Sequence, residues 1–188
     1  MDEKNTNKMN VHQKLKDCFL SAKRDEERGK KHKGLRIVNP DNKKAEEYIQ
    51  KAKTNLESCD FYKQKRLDYK IPEEWFYTMY YCALAILAKF GVDSKSQKCT
   101  ALFMKRIKEK GLITYDDEFI DRIMVYKEKG VTSDVDEREN ARYGSSVQSE
   151  DIIQKYDFMT DVCKRCISQC EDLVFSDKQY QVPKEFLE

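Results

Sequence analysis

Histidine is nearly missing from this chain: among 188 residues it occurs only as His12 and His32, both ahead of the first long apolar pattern. A histidine general base inside the body of the fold is therefore excluded by composition, as is a histidine-rich metal centre. Glycine and proline are scarce, at six and three residues, and none of the glycine-dependent motifs occurs. There is no Gly-x-Gly-x-x-Gly, no phosphate-binding loop and no Gly-x-Ser-x-Gly nucleophile turn, so the enzyme classes built on them are set aside. Long apolar runs are missing as well. The longest, Met79 to Ala88, is about half of the roughly 20 residues that span a bilayer, and the opening MDEKNTNKMN lacks the apolar stretch of a signal peptide. These absences predict a cytoplasmic protein with no membrane partner, no cofactor and no metal.

What is present is charge. Charged residues make up 37% of the chain, with a net charge of only +2, and no strand-like alternation runs through them, which predicts an all-α protein. Near-neutrality gives no global case for nucleic acid, but the charge is unevenly placed. Lys95, Lys98, Lys105, Arg106, Lys108 and Lys110 face only Glu109 among acids in their stretch, which predicts one basic edge. Acids gather later, at Asp116, Asp117, Glu118 and Asp121 and again at Asp134, Asp136, Glu137 and Glu139. Seven cysteines, an odd number without the spacing of a disulfide scaffold, predict reduced thiols in a reducing compartment.

Periodicity orders the chain into an arm (1–40), a helical bundle (41–175) and a tail (176–188). The first ten residues are unpatterned and expected to be disordered. Val11, Leu15, Cys18, Phe19 and Ala22 then recur at helical spacing and predict a short helix over 11–25. Asp25 to Gly34, DEERGKKHKG, reads as a solvated linker, with a basic nucleic-acid-binding finger as the alternative. Asn39-Pro40 is a helix start, and Ala45, Tyr48, Ile49, Ala52, Leu56 and Cys59 carry that helix from 41 to between 60 and 65.

Pro72 opens the next helix with Glu73 and Glu74 at its positive end. From Trp75 to Phe90 only Thr78 and Lys89 are plainly polar, so this helix is apolar nearly all round and has to be surrounded by others. Gly91 ends it, and Val92 to Ser96 reads as a turn. Further helices are predicted at 97–110, at 115–129 behind a Thr114–Asp117 capping box, in a short charged piece near 133–143, and at 149–175. In the last, Ile152, Tyr156, Met159, Cys163, Cys166, Cys170 and Leu173 form a heptad seam. That seam decides how its cysteines are read. A closed zinc site needs four ligands and no second pair is present, so the three are core residues rather than thiolate ligands. The tail breaks at Pro183 and reads as a loose end or a partner-binding strip. The whole is an antiparallel bundle of four to five helices with a short N-terminal helix.

One segment combines groups that bind phosphate or bases. In Glu137 to Gly144, EREN-ARYG, Arg138 and Arg142 share a helix face, Asn140 can hydrogen-bond a base, and Tyr143 can stack. The plain alternative is a charged helix end whose arginines pair with neighbouring acids.

KAEEYIQKAKTNLES, then FYTMYYCALAILAKFGVDSKSQ, a basic helix and RENARYG before a long last helix together resemble the HEPN family, the helical "higher eukaryotes and prokaryotes nucleotide-binding" domains. The likeness spans roughly residues 11 to 175 and is strongest to the stand-alone bacterial and archaeal branch. Tyr80, Tyr81, Ala83, Ala85, Gly91, Lys95 and Ser96 match that branch, and the first helix with Leu15 and Cys18 resembles the N-terminal extension of some archaeal members. The resemblance implies a homodimer with two copies facing one cleft, and an RNA or nucleotide ligand at Arg138, Asn140, Arg142, Tyr143, Lys95, Lys98, Tyr80 and Tyr81. It also implies a place in a toxin–antitoxin or defence module, with a minimal nucleotidyltransferase as partner; Tyr143 would then be the site of adenylylation. Active members are metal-independent ribonucleases in which an Arg holds the scissile phosphate and a His a few residues on moves the proton. Here the Arg maps to Arg138 and Tyr143 stands in the position of the His; Gln97 likewise stands where many relatives have His. A phenol titrates near 10 and is a poor base at neutral pH, where a good one contributes roughly 10² to 10⁴ in rate. The resemblance therefore implies a binding cleft with degenerate catalysis, the alternatives being a weak ribonuclease that uses Tyr143 and a non-catalytic assembly partner of a minimal nucleotidyltransferase.

Overall fold

The computed structural model describes residues 3–124 and 149–187, with side chains from residue 11 onward in the first stretch and from 150 in the second. The chain is mainly helical. Helix α1 spans Glu3–Glu27, α2 Asn42–Gln64, α3 Ile71–Lys89, α4 Gln97–Glu109, α5 Asp117–Ile123 and α6 Ser149–Val174. Two short strands, β1 Leu35–Ile37 and β2 Val92–Ser94, pair antiparallel.

Helix α3 is the centre. Ile71, Trp75, Phe76, Met79, Cys82 and Leu87 are buried on its several faces, and α2, α4, α5 and α6 all touch it. Thr78, the polar residue of its middle turns, is fully buried yet satisfied, its hydroxyl donating to the Glu74 carbonyl at 2.8 Å and reaching the Ala52 carbonyl at 3.3 Å. Pro72 sits in the first turn as expected. At the other end Gly91 has φ +71, and a Cβ there would lie 2.5 Å from the Val38 carbonyl oxygen. Any side chain meets both a left-handed backbone and a neighbouring main chain, so Gly91→Ala is expected to cost about 2 kcal/mol or more, read as a lower urea midpoint.

Several boundaries differ from the sequence reading. Helix α1 begins at Glu3 rather than near residue 11, so the first ten residues are not wholly outside regular structure. Asp41, not Asn39, caps α2: its side chain accepts from the Lys44 amide at 2.9 Å, while the Asp41 amide donates to Ala88 at the end of α3. No Thr114 capping box forms. Asp116 is the residue before α5, and its carboxylate is drawn instead to Arg165 at 3.1 Å. Val92 to Ser94 is a strand rather than a turn; its partner β1 lies more than fifty residues earlier, which no local pattern reveals. The tail is not loose, because Phe186 is fully buried against Phe103 and Tyr180 lies 4.7 Å from the Phe90 ring. The short helix proposed near 133–143 lies outside the described residues.

The cysteine seam of α6 is core, as its period indicated. Cys163, Cys166 and Cys170 have no exposed surface. Cys170 donates to the Cys82 carbonyl at 3.4 Å and Cys163 to the Trp75 carbonyl at 3.7 Å, while Cys166 lies 3.0 Å from the Tyr115 hydroxyl. Burial pushes the Cys166 thiol well above its ordinary value, so it stays protonated and inert. No group of described His, Cys, Asp or Glu residues could hold a metal ion, and no described helix is long and apolar enough to cross a membrane. The expectation that every thiol is reduced is overturned. Cys18 of α1 and Cys99 of α4 form a disulfide, with Cα atoms 5.8 Å apart across 81 residues of sequence, a spacing normal for such bonds.

Candidate functional site

The two strands bring together segments that the sequence keeps far apart. Their register sets Arg36 opposite Asp93 and Leu35 opposite Ser94, and the Lys95 amide continues the pairing by donating to the Gly34 carbonyl at 3.1 Å. The loop from α1 into β1 is shaped by Asp25: its carbonyl accepts from the Arg28 and Lys30 amides, and its carboxylate accepts from the Lys33 amide at 3.0 Å. This turn leaves the side chains of Lys30, Lys31 and Lys33 exposed and folds His32 inward.

Asp93 is the anchor. It is 6% exposed and receives Lys44 Nζ at 2.9 Å and His32 Nε2 at 3.0 Å, with Arg36 at 3.6 Å and Lys95 at 3.7 Å. Burial alone would raise its carboxyl, but the hydrogen bonds from Lys44 and His32, with the charges of Lys44 and Lys95, outweigh that and hold it below its usual value. The hydrogen bond to Asp93 in turn raises Lys44. A hollow of about 680 Å³ opens here, lined among the described residues by Lys30, Lys31, Lys33, Arg36, Lys44 and Lys95 against Glu26 and Asp93. The field of those six cations exceeds what two carboxylates neutralise, and Glu26 is already engaged with Arg36 at 3.0 Å.

An aromatic strip continues from this hollow. Lys44 lies 5.9 Å from the ring centre of Tyr48, which stacks on Tyr81 of α3 at 5.9 Å and 20°. Lys51 sits 5.5 Å and 5.7 Å from those two rings. Tyr77 and Tyr80 adjoin Tyr81 at 5.9 Å and 6.5 Å. Burial raises the phenols of Tyr48 and Tyr80, which keeps them neutral hydrogen-bonding groups. Cations interleaved with partly buried rings suit a ligand made of phosphates and flat bases.

No protein-family model matches the chain. No curated protein matches it in sequence either.

Of the residues singled out by sequence, Lys95 lies on the hollow, while Tyr81 and Tyr80 lie on the adjoining strip. Lys98 is exposed on the first turn of α4 and does not line the hollow. Arg138, Asn140, Arg142 and Tyr143 lie outside the described residues. Half of the basic edge expected along α4 is paired, Arg106 with Glu109, Lys108 with Asp117 and Lys110 with Glu185. Sequence reasoning passed over Asp93, Arg36, Lys44, Tyr48 and Lys51, and it placed His32 away from the folded body. The one usable signal was the GKKHKG run, which places Lys30, Lys31 and Lys33 on the hollow. A larger hollow of about 810 Å³ lies beside the tail, but there Lys89 is engaged by the Ser176 carbonyl and charges do not converge.

Proposed function

We propose that this protein binds single-stranded RNA or a nucleotide, with phosphates in the hollow around Asp93 and a base on the Tyr48–Tyr81 strip. The observation that carries the reading is the convergence of six permanent cations on one hollow beside stacked, partly buried rings. Phosphate contacts would supply most of the affinity and the tyrosines a sequence-tolerant stacking surface. The same proposal takes the fold as a HEPN-like bundle around α3 that pairs with a second copy, and the segment Arg138 to Tyr143 as a further contributor to the ligand.

A fluorescent single-stranded RNA oligomer tests this directly. If three to six phosphates are neutralised, log affinity should fall against log salt with a slope of about −2 to −4. Tyr81→Ala should weaken binding by about 1 to 3 kcal/mol. No binding at 50 mM salt, or binding indifferent to salt, would sink the proposal.

A specific observation favours one second reading, a metal-independent ribonuclease. His32 lies beside the cationic hollow and is oriented by Asp93, an arrangement suited to a general base. However, its other nitrogen, Nδ1, is enclosed without a hydrogen-bond partner among the described residues, so this loop would have to open before His32 met a ribose hydroxyl. Binding is therefore the better-supported reading. RNA cleavage in excess chelator that disappears in His32→Gln would reverse that preference.

A further inference from the structure

We infer that the Cys18–Cys99 disulfide is a redox latch that holds the cationic hollow in its binding form; the functional half of this inference rests on the proposed RNA or nucleotide ligand. Three observations locate the bond at the junction of the walls of the hollow. First, the loop that carries the lysines crosses α1 in direct contact at Cys18: a Cβ on Gly34 would lie 2.1 Å from the Cys18 carbonyl oxygen and 3.1 Å from the Ala22 nitrogen. Second, Gly34 accepts from the Lys95 amide at 3.1 Å, so the same residue touches the strand end that leads into α4. Third, Cys99 stands in the first turn of α4, where its amide donates to the capping Ser96 side chain at 3.3 Å. The sulfur bridge thus joins α1 to α4 at the place where the lysine loop is sandwiched.

Helix α1 also organises the cations from its far end. Asp25 holds the Lys30 and Lys33 amides, and Glu26 pairs with Arg36. With the bridge intact, these acids are fixed relative to Asp93 and Lys95. Once it opens, α1 is held against α4 by side-chain packing such as Phe19 on Phe103 and against β1 by the exposed Glu26–Arg36 pair, and the lysine loop loses its covalent tie to α4. The other five cysteines are buried thiols within the core, so this one bridge is not part of a general disulfide framework.

The chemistry is two-electron thiol–disulfide exchange with a dithiol reductant. One thiolate of the dithiol attacks a sulfur of the bridge to give a mixed disulfide, and its second thiol then releases the protein. Cys18 and Cys99 each leave as a thiol carrying one proton from the reductant, which ends as a cyclic disulfide. Pre-organisation of the cations is lost, and affinity for RNA should fall about tenfold.

The test uses the full chain, first oxidised with glutathione disulfide and then reduced with dithiothreitol. Peptide mapping without reductant should find Cys18 joined to Cys99 in the oxidised sample. Reduction should raise amide hydrogen exchange across residues 18–36, weaken binding of a single-stranded RNA oligomer about tenfold, and be undone by reoxidation. The Cys18→Ala/Cys99→Ala protein should bind like the reduced form and ignore dithiothreitol. Titration of all seven cysteines as thiols after oxidation, or equal exchange and equal affinity in both redox states, overturns the latch. Changed exchange in a protein that binds no RNA in either state supports the latch and refutes the ligand, so the two ideas fail separately.

Discussion

Replacing Lys30, Lys31 and Lys33 together with glutamate should lower the affinity for single-stranded RNA by roughly a hundredfold or more at moderate salt, and should flatten its salt dependence. Each change replaces an attraction to phosphate by a repulsion, and the three sit on one loop facing one hollow. The same substitutions should leave stability nearly unchanged. All three side chains are exposed, the described residues give them no ion pair, and the loop is held by main-chain amides of Lys30 and Lys33 that any residue but proline provides. Surface substitutions of this kind usually stay within about 0.5 kcal/mol. Lys164→Glu, beside Tyr156 on a different face, is the matched control and should bind as the unaltered protein does. An unchanged affinity in the triple variant would place the ligand elsewhere on the molecule.

The helices were legible because their information is local. Pro72 and Gly91 bracket α3, and the seam from Tyr156 to Cys170 belongs to α6; each is readable within a few turns of chain. What escaped the sequence depends on contacts between distant segments. A three-residue strand has no period to detect, and α2 and α3 separate β1 from β2 along the chain. The tail looked polar and broken, yet Tyr180 and Phe186 are single apolar anchors, which leave no pattern. Cys18 and Cys99 lie 81 residues apart and resemble the core cysteines in composition. The site follows the same rule. Lys95, Tyr80 and Tyr81 belong to the recognisable central stretch and lie on or beside the hollow. Asp93 looked like one turn residue among several, and His32 like a residue of a linker, because their 3.0 Å contact spans 61 positions.

Asp93→Ala should be the most destabilising single change in the site, by about 3 kcal/mol, because it strips the acceptor from two donors at once. His32 is 7% exposed and cannot turn to water, whereas Lys44 is 37% exposed at its side chain and can, which puts the cost at the lower end of the range for broken buried pairs. Asp93→Asn keeps the volume and one acceptor oxygen and should cost less. The pH dependence has a definite sign. Because the folded state holds the Asp93 carboxyl below its usual value of 3.8, its contribution is complete above that value and is lost as pH falls through the folded pKa. Lys44 closes the window from the other side. Raised from 10.5 chiefly by its hydrogen bond to Asp93, it contributes fully below that value and loses its contribution as pH rises through the folded pKa. The stability difference between the protein and Asp93→Asn, measured by urea unfolding, should therefore be widest between about pH 5 and 9 and should shrink at pH 3. A gap that is the same at pH 3 and pH 7 would mean that the carboxylate charge is not what binds the loop. Binding should move the opposite way. Removing the central anion leaves Lys44, Arg36 and Lys95 less neutralised, so each folded molecule of Asp93→Asn should hold RNA more tightly at low salt while being easier to unfold. That opposition is expected of a residue that assembles a cationic site by partly cancelling its charge.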